Sequence, residues 1–397
     1  MQKYTEKKEC RVCNEEIHEV LDLNKQPLAN SYHNNEGKLE EFPLKLNYCN
    51  VCSHGQLSVV VNPELMFKDY LYVSGTSNTL QKYFEYFVSL CSEYSAVGSV
   101  LDIACNDGTQ LDKFKEAGWK THGVDPAENL FSISSKNHNV VCDYWNEDVA
   151  KTYVNYFSVV VAQNVFAHVD DIHGFLKACW LVMHSGSHLF IQTSQADMIL
   201  NNEFDTIYHE HLSFFCTKSM KTCANINGFS LVDVLKTDVH GGSFVFVLKK
   251  GQFAETVAKM FIAKEHNDGL HCTDTYVEYA EKCKAVVSEL KIEIDKFRNK
   301  GYKVIGYGAA AKGNTLLNFA EIDLDYIVDD NPLKHGLYTP GRNILIKSSQ
   351  ALKEEDPKKV VIVPLAWNFY KEISRRARSL MKSKIKFIKY FPKVKVI

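Results

Sequence analysis

The sequence lacks the features that mark several large classes of protein. It has no apolar run of the roughly 18 residues that a membrane-spanning helix needs. Its net charge of −2 offers no basic field for the phosphates of nucleic acid. The first residues, MQKYTEKKECRVC, lack the apolar core of a secretory signal. We therefore expect a cytoplasmic protein, a monomer or weak oligomer, that binds neither membranes nor nucleic acid.

Two common binding and catalytic signatures are missing as well. A zinc protease helix presents His-Glu-x-x-His with both histidines on one face, but His209 and His211 are only two residues apart. The loop after the apolar segment SVLDI does not contain G-x-G-x-x-G, and Ala104 stands where a first glycine is expected. These absences argue against a zinc protease and against a loop built to hold a pyrophosphate.

What the sequence does contain is the composition of a globular protein with more than one domain. A chain of 397 residues predicts two or three domains, and 45% hydrophobic with 24% charged residues is typical of globular proteins. Twelve cysteines are scattered along the chain, several of them in apolar segments such as KACWLVM. Buried thiols of this kind favour a reducing compartment over a disulfide framework.

Four cysteines form a separate pattern near the N-terminus. Cys10 and Cys13 make one C-x-x-C pair, and Cys49 and Cys52 make a second. Two such pairs can complete a tetrahedral thiolate site, so we predict a structural Zn²⁺ ion. Because four sulfur ligands leave no open position, this metal should hold the fold together without taking part in chemistry. Free thiols remain the alternative.

The segment SVLDIACNDGTQLDKFKEAGWKTHGVDPAENL predicts a ligand-binding unit. It reads as an apolar strand, a polar loop, an amphipathic helix and a second strand that ends at Asp125. An acidic residue at that position can hold both hydroxyls of a ribose. Since the loop is acidic, it would repel a pyrophosphate. S-adenosylmethionine, which has a ribose, a cationic head and no phosphate, fits better, and a doubly wound sheet without a ligand is the alternative.

The following segments predict the methyltransferase version of a doubly wound fold. FSVVVAQNVFAHVDD and HLFIQTS are apolar strands with polar ends, and GGSFVFVLKK alternates like an antiparallel partner. Ligands of such sheets bind beyond the carboxyl ends of the strands. The segment FDTIYHEHLSFF follows one of these ends, so we expect it at the cofactor mouth, although its histidines could simply be hydrogen-bonded in a loop. The predicted cofactor-binding residues are Asp102, Ala104, Asn106, Asp107, Gly108, Asp125, Pro126 and Asn164.

After residue 250 the chain predicts a helical linker and a second α/β unit. Residues 252–300 are rich in Ala, Glu and Lys, and KVIGYGAAAKGNTLLNF then repeats the strand–loop–helix pattern. Gly306, Gly308 and Gly313 lie in its turn. Such a loop can bind phosphate at a helix N-terminus with help from Lys312, but tight packing of strand against helix explains the glycines nearly as well.

Several motifs together resemble those of the nucleotide-sugar C-methyltransferases. They are the two C-x-x-C pairs, PLANSY, YVSGTS, NDGTQL, YHEHLSFF, YGAAAKGNTLLN and PLAWN. The resemblance implies an α/β protein in which a class I methyltransferase sheet is flanked by a small N-terminal zinc-binding domain and a C-terminal Rossmann-like domain. We place these domains at residues 1–70, 71–250 and 251–397. The cofactor strand of the family commonly ends Glu-x-Gly-Ser-Asn-Asp-Gly, whereas this chain has DIACNDG, which keeps the charge.

The same resemblance implies methylation at carbon 3 of a 4-keto-deoxysugar that is linked to a nucleotide, usually thymidine diphosphate. His211 is then the base that removes the carbon-bound proton, with Glu210 orienting or tuning it. Tyr208 and His168 are expected to donate hydrogen bonds to the keto or enolate oxygen, with Tyr72 as a further contact.

The neighbours of these residues give two further expectations. Phe204, Phe214 and Phe215 would exclude water from the site, and His209 would be structural. An ideal strand would put Tyr208 opposite His211, so an irregular backbone is predicted here.

Two other functions remain open. An O- or N-methyltransferase acting on a nucleotide sugar would share the cofactor site but would need no carbon acid chemistry. A zinc-bearing protein that only binds a sugar nucleotide would keep the fold without the reaction.

Overall fold

A computed structural model describes residues 3–34, 37–67, 78–193, 198–237 and 242–397. Within these residues the chain forms three larger β-sheets and one two-stranded sheet, with helices packed against them. None of the helices found there is long and apolar enough to cross a membrane.

The N-terminal sheet forms around the two cysteine pairs. Its region contains β1 (Tyr4–Glu6), β2 (His18–Pro27), β3 (Glu41–Tyr48), β4 (Gly55–Leu57) and β5 (Val59–Val61). β2, β3 and β4 pair antiparallel in that order, and β1 pairs with β5. The next strand beside β4 is β11 (Ser213–Phe214), which comes from much later in the chain. The N-terminal sheet is therefore completed by a segment of the central region.

The central sheet has the strand order of the class I methyltransferases. Its strands are β6 (Ser99–Ile103), β7 (Lys120–Val124), β8 (Asn139–Val141), β9 (Phe157–Gln163), β10 (Met183–Thr193), β12 (Phe229–Thr237) and β13 (Ser243–Lys250). The order is β12-β13-β10-β9-β6-β7-β8, with β6 to β10 parallel and β13 antiparallel between β10 and β12. The predicted doubly wound sheet with an antiparallel closing strand is confirmed.

Helices cover this sheet because its central strands are apolar on both faces. Nearly all of β6 and β9 is buried, which is the pattern of a parallel strand between two helical layers. α6 begins where the side chain of Asp171 caps the amide of Gly174 at 2.8 Å. The helices of this part are α1 (Glu64–Phe67), α2 (Asn78–Tyr94), α3 (Thr109–Glu116), α4 (Glu128–Ser134), α5 (Glu147–Ala150), α6 (Ile172–Val182) and α7 (Thr217–Ile226).

The C-terminal sheet is a second α/β layer. Its strands are β14 (Lys303–Tyr307), β15 (Tyr326–Asp329), β16 (Ile346–Ser348), β17 (Val360–Pro364), β18 (Lys386–Lys389) and β19 (Lys395–Val396). The order is β16-β15-β14-β17-β18-β19, parallel except for β19. Its main helices are α10 (Ala311–Phe319) and α11 (Tyr370–Met381). This is the Rossmann-like arrangement that the sequence predicts.

Two helices, α8 (Thr256–Asn267) and α9 (Thr273–Arg298), connect the central and C-terminal sheets, as the Ala-, Glu- and Lys-rich stretch predicts. Tyr279, Cys283 and Leu290 lie on the buried face of α9 and belong to a core that also contains Leu44 and Leu316. N-terminal and C-terminal residues therefore share one core. The predicted domain limits near residues 70 and 250 fall between the sheets and stay a prediction.

Candidate active site

The two cysteine pairs form two matching backbone turns. The amide of Asn14 donates to the carbonyl of Cys10, and the amide of Ser53 donates to the carbonyl of Cys49, both at 2.9 Å. Asn14 and Ser53 also share a positive φ, 60° and 61°. Equal turns at both pairs direct the thiol groups toward one point, which is how paired C-x-x-C turns hold a metal ion.

The four sulfur atoms fit a single zinc ion. The Sγ atoms of Cys10 and Cys52 are 3.5 Å apart, as are those of Cys13 and Cys49, and all four lie within 4.8 Å of one another. Tetrahedral zinc with Zn–S bonds of about 2.3 Å needs sulfur–sulfur distances of about 3.8 Å. The chain thus has a zinc site made of four thiolates, which leaves no position for water or substrate.

Arg11, inside the first of these turns, connects the zinc site to residues 204–215, which carry predicted catalytic residues and are called the catalytic segment below. Its Nη1 donates to the carbonyl oxygens of Leu57 (2.9 Å) and Leu212 (3.1 Å), and its Nε pairs with Asp170 at 3.2 Å. The side chain is 2% exposed, and burial lowers the pKa of Arg11 while Asp170 opposes that shift. The zinc turn therefore fixes the residue that follows His211.

A cavity of about 360 Å³ opens at the carboxyl ends of β6, β7 and β9. Doubly wound sheets bind their ligands at this edge, and the volume is in the range of small-molecule sites. The predicted cofactor residues that line the cavity are Asp102, Ala104, Asn106, Asp125, Pro126 and Asn164.

The other two predicted cofactor residues, Asp107 and Gly108, shape the loop that leads into α3. Asp107 Oδ1 accepts a hydrogen bond from the amide of Thr109 at 3.2 Å, at the start of α3. Gly108 has a φ of +84°, and a Cβ at this position would lie 3.1 Å from His138 Cδ2. Asp107 and Gly108 thus shape the loop and do not line the cavity.

Asp125 holds the loop and faces the cavity with the same carboxylate. Its Oδ2 accepts from the amide of Asn106 at 2.8 Å, and its Oδ1 accepts from the amide of Ala127 at 2.9 Å. Burial raises the pKa of Asp125, and these two amides oppose the shift. Each carboxylate oxygen can accept more than one hydrogen bond, so acceptor capacity remains for the hydroxyls of a ribose.

Three residues of the cavity wall have a left-handed backbone. Ala104, Asn106 and Asn164 have φ values of 62°, 52° and 53°. This conformation costs a residue with a side chain about 1–2 kcal/mol, and such costs concentrate at ligand sites. Because asparagine adopts this conformation more readily than other residues with side chains, the backbone cost falls mainly on Ala104.

Buried polar atoms at the ends of β9 and β10 have no partner among the described residues. They are Gln163 Nε2, Asn164 Oδ1, both side-chain polar atoms of Gln192, and Thr193 Oγ1. Buried polar groups are normally hydrogen-bonded, so this edge of the sheet fits a polar ligand. Of these residues, Gln163 and Asn164 line the cavity, where they and the Asp125 carboxylate offer polar partners to a ligand. Gln163 and Gln192 were not predicted, and only their place at strand ends could have indicated them.

Asp102 lies deeper in the same wall. Burial raises its pKa well above the ordinary range, and a hydrogen bond from Gln110 Nε2 at 3.1 Å opposes that shift. A buried carboxyl that holds a polar amide can orient the loop that follows β6.

The catalytic segment has the irregular backbone that the sequence predicts. The amide of His211 donates to the carbonyl of Tyr208 at 2.8 Å, so the two residues lie at the ends of one turn. Directly after the turn, Ser213 pairs with Gln56 of β4, and Phe214 pairs with Gly55. The zinc-binding region therefore supplies the strand that holds the segment in place.

His211 is oriented by a backbone carbonyl. Its Nδ1 lies 2.7 Å from the carbonyl oxygen of Thr206, and its side chain is buried. Because a carbonyl oxygen can only accept, Nδ1 carries the proton of the neutral ring and Nε2 carries the lone pair. The rings of Tyr208 and His168 flank it, with centroids at 4.0 Å and 5.1 Å.

Burial changes the protonation of two neighbours of His211 in opposite senses. It lowers the pKa of His168 to about 4, so this ring is neutral near pH 7. It raises the pKa of Glu210 to about 7, against a hydrogen bond of 2.6 Å from Asn30 Nδ2 to Glu210 Oε1. The structure thus places the Glu210 carboxylate against Asn30, while Thr206 holds the ring of His211.

The histidine and the phenylalanines predicted around His211 lie in different surroundings. His209 Nε2 lies 3.3 Å from the carbonyl oxygens of Phe42 and Pro43, away from His211. Phe214 packs edge-on to His211, whereas Phe204 packs against the C-terminal region. Phe215 stacks on Phe166 at 5.0 Å. Tyr72 and the YVSGTS motif lie outside the described residues.

A second group of metal-binding residue types lies at the start of α7. Ligand atoms of Cys216, Glu265 and His271 are within 4.8 Å of one another. The Glu265 carboxylate accepts from the amide of Thr217 (2.6 Å), the amide of Lys218 (3.3 Å) and His271 Nε2 (3.2 Å). Since these donors satisfy the carboxylate, we interpret the group as a helix cap.

Three family models match successive parts of the chain. A zinc binding domain matches residues 10–67, a methyltransferase domain matches residues 77–234, and a C-methyltransferase C-terminal domain matches residues 238–392. The C-methyltransferase NovU of Streptomyces niveus is 29% identical over 409 aligned residues, which cover 98% of this chain and 96% of that protein.

Other relatives match less of the chain. A mitochondrial ubiquinone biosynthesis O-methyltransferase of Bos taurus is 29% identical over 103 residues, 24% of this chain and 28% of that protein. Among solved structures, a SAM dependent methyltransferase from Archaeoglobus fulgidus aligns with a TM-score of 0.35 and 17% identity, over 43% of this chain and 94% of that one. Similarity this distant has no bearing on the reaction.

Proposed function

The chain is an S-adenosylmethionine-dependent C-methyltransferase with a structural zinc site, and we propose that it methylates carbon 3 of a nucleotide-linked 4-keto-deoxysugar. The bound cofactor supplies an electrophilic methyl group. The residues of the chain must then make the acceptor carbon nucleophilic, which requires removal of a proton beside the ketone. Thymidine diphosphate as the nucleotide and a cytoplasmic location are parts of the same proposal.

The observation that carries the proposal is the 2.7 Å hydrogen bond between His211 Nδ1 and the carbonyl of Thr206. It puts the basic lone pair on Nε2, and we assign to Nε2 the removal of the proton from carbon 3. The Thr206 carbonyl then stabilises the positive ring, because it accepts the other N–H. A buried base held in one tautomer is what abstraction of a carbon-bound proton needs.

His168 and Tyr208 are the proposed donors to the ketone oxygen. The electron pair of the broken C–H bond moves onto that oxygen, and neutral donors fixed in a dry site stabilise the new charge. His168 suits this role because its low pKa keeps the ring neutral and able to donate an N–H. It also lines the cofactor cavity, so the activated carbon would face the methyl donor.

Glu210 and Tyr72 complete the proposed catalytic set. When ionised, Glu210 would favour the positive charge that forms on its neighbour His211 through their proximity along the chain. Tyr72 is proposed as a further contact to the sugar.

Proton exchange tests this proposal before any methyl group moves. In deuterated water, the enzyme with a 4-keto-deoxysugar nucleotide should exchange the hydrogen at carbon 3. We expect His211→Ala to abolish exchange and to slow methylation by about 10²–10⁴-fold, with cofactor binding intact. His209→Gln is the matched control, since its amide can still reach the carbonyls of Phe42 and Pro43.

Two outcomes would overturn the proposal. One is exchange at the native rate in His211→Ala while Tyr208→Phe stops it, which would make Tyr208 the base. The other is a ¹³C-labelled methyl group that NMR finds on oxygen or nitrogen, which would make the enzyme an O- or N-methyltransferase.

A further inference from the structure

A short piece of the N-terminal region reaches the catalytic segment. We call residues 29–33 the N-terminal strap. Within it, Asn30 Nδ2 donates to Glu210 Oε1 at 2.6 Å across 180 positions of sequence. Glu210 is 6% exposed, whereas Asn30 lies at the protein surface. A surface amide thus supplies a hydrogen bond to a buried carboxyl beside His211.

The rest of the N-terminal strap is attached to the C-terminal region. Tyr32 donates its hydroxyl to the carbonyl of Ala309, and Asn314 Nδ2 donates to the carbonyl of Ala29, both at 2.7 Å. The amide of Tyr338 donates to the carbonyl of His33 at 2.8 Å. The place of the Asn30 amide is therefore set by contacts with the loop after β14, with α10 and with residue 338.

We propose that Asn30 is a positioning residue for the methyl transfer: it fixes the Glu210 carboxylate beside His211, and the N-terminal strap makes that position depend on the C-terminal region. This inference rests on the proposed function. It explains why the reaction would need a C-terminal sheet whose described residues line no part of the cofactor cavity. It also gives the PLANSY motif a role, because Asn30 is the asparagine of that motif.

The hydrogen bond has a predictable electrostatic consequence. An amide N–H stabilises the charged form of a carboxyl, so it opposes the burial that raises the pKa of Glu210. Without Asn30 the pKa of Glu210 should rise further, and less carboxylate should be present at pH 7. The other titratable group that faces Glu210 from the strap is Tyr32, and burial raises its pKa far above the working range. Tyr32 therefore stays protonated between pH 5 and 9 and does not contribute to the titration of Glu210.

The test is a titration of Glu210 in the full-length zinc-loaded protein. Glutamate labelled with ¹³C at the carboxyl gives the signal, and Glu210→Gln assigns it by difference. We expect Asn30→Ala to raise the pKa of Glu210 by about one unit, as the loss of a hydrogen bond to a charged group implies. Asn30→Asp should raise it more, since a second carboxylate replaces the donor. Ser31→Ala, one position along the strap, is the control without a shift.

Activity gives the second readout. The acid limb of the kcat profile should move to higher pH in Asn30→Ala by the same amount, with about a fivefold lower kcat at pH 7 and little change in KM. Tyr32→Phe removes an anchor of the strap and keeps the Asn30 amide, so it should shift the limb in the same direction by less. Zinc content and cofactor affinity should stay native in all these variants, which shows that they are folded.

The inference is overturned if Asn30→Ala leaves the carboxyl titration unchanged, or if Ser31→Ala shifts it equally. Because the titration needs no substrate, it separates this inference from the proposed function. A shifted titration in an enzyme that does not exchange the proton at carbon 3 would contradict the proposed function and keep the contact. An unshifted titration in an enzyme that does exchange it would contradict only the role of Asn30.

Discussion

Two parts of the molecule have the same local construction and different surroundings. The first unit is β6, its loop, α3 and β7, and the second unit is β14, its loop, α10 and β15. In each unit, the backbone amide of the residue after the first strand donates to a backbone carbonyl near the carboxyl end of the second strand. The pairs are Ala104 with Val124 at 2.7 Å and Gly308 with Val328 at 2.8 Å.

The acidic residues of the two units also match. Asp125 and Asp329 each accept hydrogen bonds on both carboxylate oxygens. One hydrogen bond comes from a backbone amide of the loop: Asn106 donates to Asp125 at 2.8 Å, and Ala309 donates to Asp329 at 2.7 Å. The other comes from the amide two residues after the aspartate: Ala127 donates to Asp125 at 2.9 Å, and Asn331 donates to Asp329 at 2.7 Å. Local sequence pattern and local backbone therefore cannot distinguish a binding unit from a structural one.

The difference lies in what covers each loop. The first loop opens on the 360 Å³ cavity. In the second, the carbonyl of Ala309 accepts from the hydroxyl of Tyr32 and from Lys334 Nζ, both at 2.7 Å, and Lys334 also lies over the ring of Tyr32. The same chain thus uses one unit to hold a ligand and the other to hold the N-terminal strap.

Packing accounts for the glycines of the second unit. A Cβ on Gly306 would lie 2.8 Å from Ile327 Cγ1, and one on Gly313 would lie 2.7 Å from Leu365 Cβ. Lys312, the residue suggested for phosphate, lies over the ring of Trp367 at 5.0 Å. Of the two explanations that the sequence allows for this loop, close packing of strand and helix is the one with contacts to support it.

The largest expected effect comes from the zinc site, because both units depend on the region that it organises. Cys49→Ser should remove the metal, and structural zinc in small sites contributes on the order of 10 kcal/mol to folding. We expect β4 to lose its pairing with β11, and the N-terminal strap to lose its contacts with the second unit. Elemental analysis should find one zinc per native chain, and Cys142→Ser, at an exposed cysteine, should keep it. Native protein without zinc would contradict the site.

The next effect is the pH dependence of stability at Glu210, in the catalytic segment outside both units. Burial raises the pKa of Glu210 from 4.5 to about 7, so the folded protein binds more protons than the unfolded chain between these values. The contribution of Glu210 to stability should therefore fall as pH rises from about 4.5 to 7. Glu210→Gln should be more stable than the native protein by up to about 3 kcal/mol above pH 7, and by little at pH 4.5.

Urea unfolding at pH 5 and pH 8 measures this difference. Glu289→Gln, at an exposed glutamate on α9, is the control and should show the same stability change at both values. A Glu210→Gln variant without pH-dependent stabilisation would mean that this carboxyl is ionised in the folded protein as readily as in the unfolded chain.

The smallest effect compares equivalent positions in the two loops. Gly308 has a φ of +92°, and a Cβ there would lie 2.8 Å from Ala366 Cβ, so Gly308→Ala should destabilise by about 2–3 kcal/mol. Ala104 has a φ of 62°, so Ala104→Gly should relieve backbone cost and stabilise by about 0.5 kcal/mol. Chemical denaturation measures the free energy of unfolding of both variants. Changes of the same sign would contradict the equivalence of the two loop positions.

The parts of the molecule that the sequence predicts are those determined by neighbouring residues. The alternation of strand, loop and helix indicates both units, and two C-x-x-C pairs indicate the zinc site, because each pattern spans a few tens of residues. The place of Asp125 at a strand end follows from the same local pattern. The turn at Tyr208 follows from chemistry, since an extended strand cannot bring it to the same side as His211.

The contacts that the sequence does not predict join distant segments. Asn30 and Glu210 are 180 residues apart, and Arg11 and Leu212 are 201 apart. Each is one polar side chain that meets a partner only after three sheets have assembled, and no periodicity marks such residues beforehand. For the same reason the covering of the second loop could not be foreseen from its glycines.

Binding of S-adenosylmethionine to a matched pair of variants tests the account most directly. Asp125→Ala and Asp329→Ala each leave two backbone amides without a carboxylate, so they damage the two units equally. We expect calorimetry to find one cofactor per native chain and about a tenfold to several-hundredfold loss of affinity in Asp125→Ala, from lost ribose hydrogen bonds to a charged group. Asp329→Ala should bind with native affinity. Unchanged affinity in Asp125→Ala, or an equal loss in Asp329→Ala, would contradict the assignment of the cofactor to the first unit.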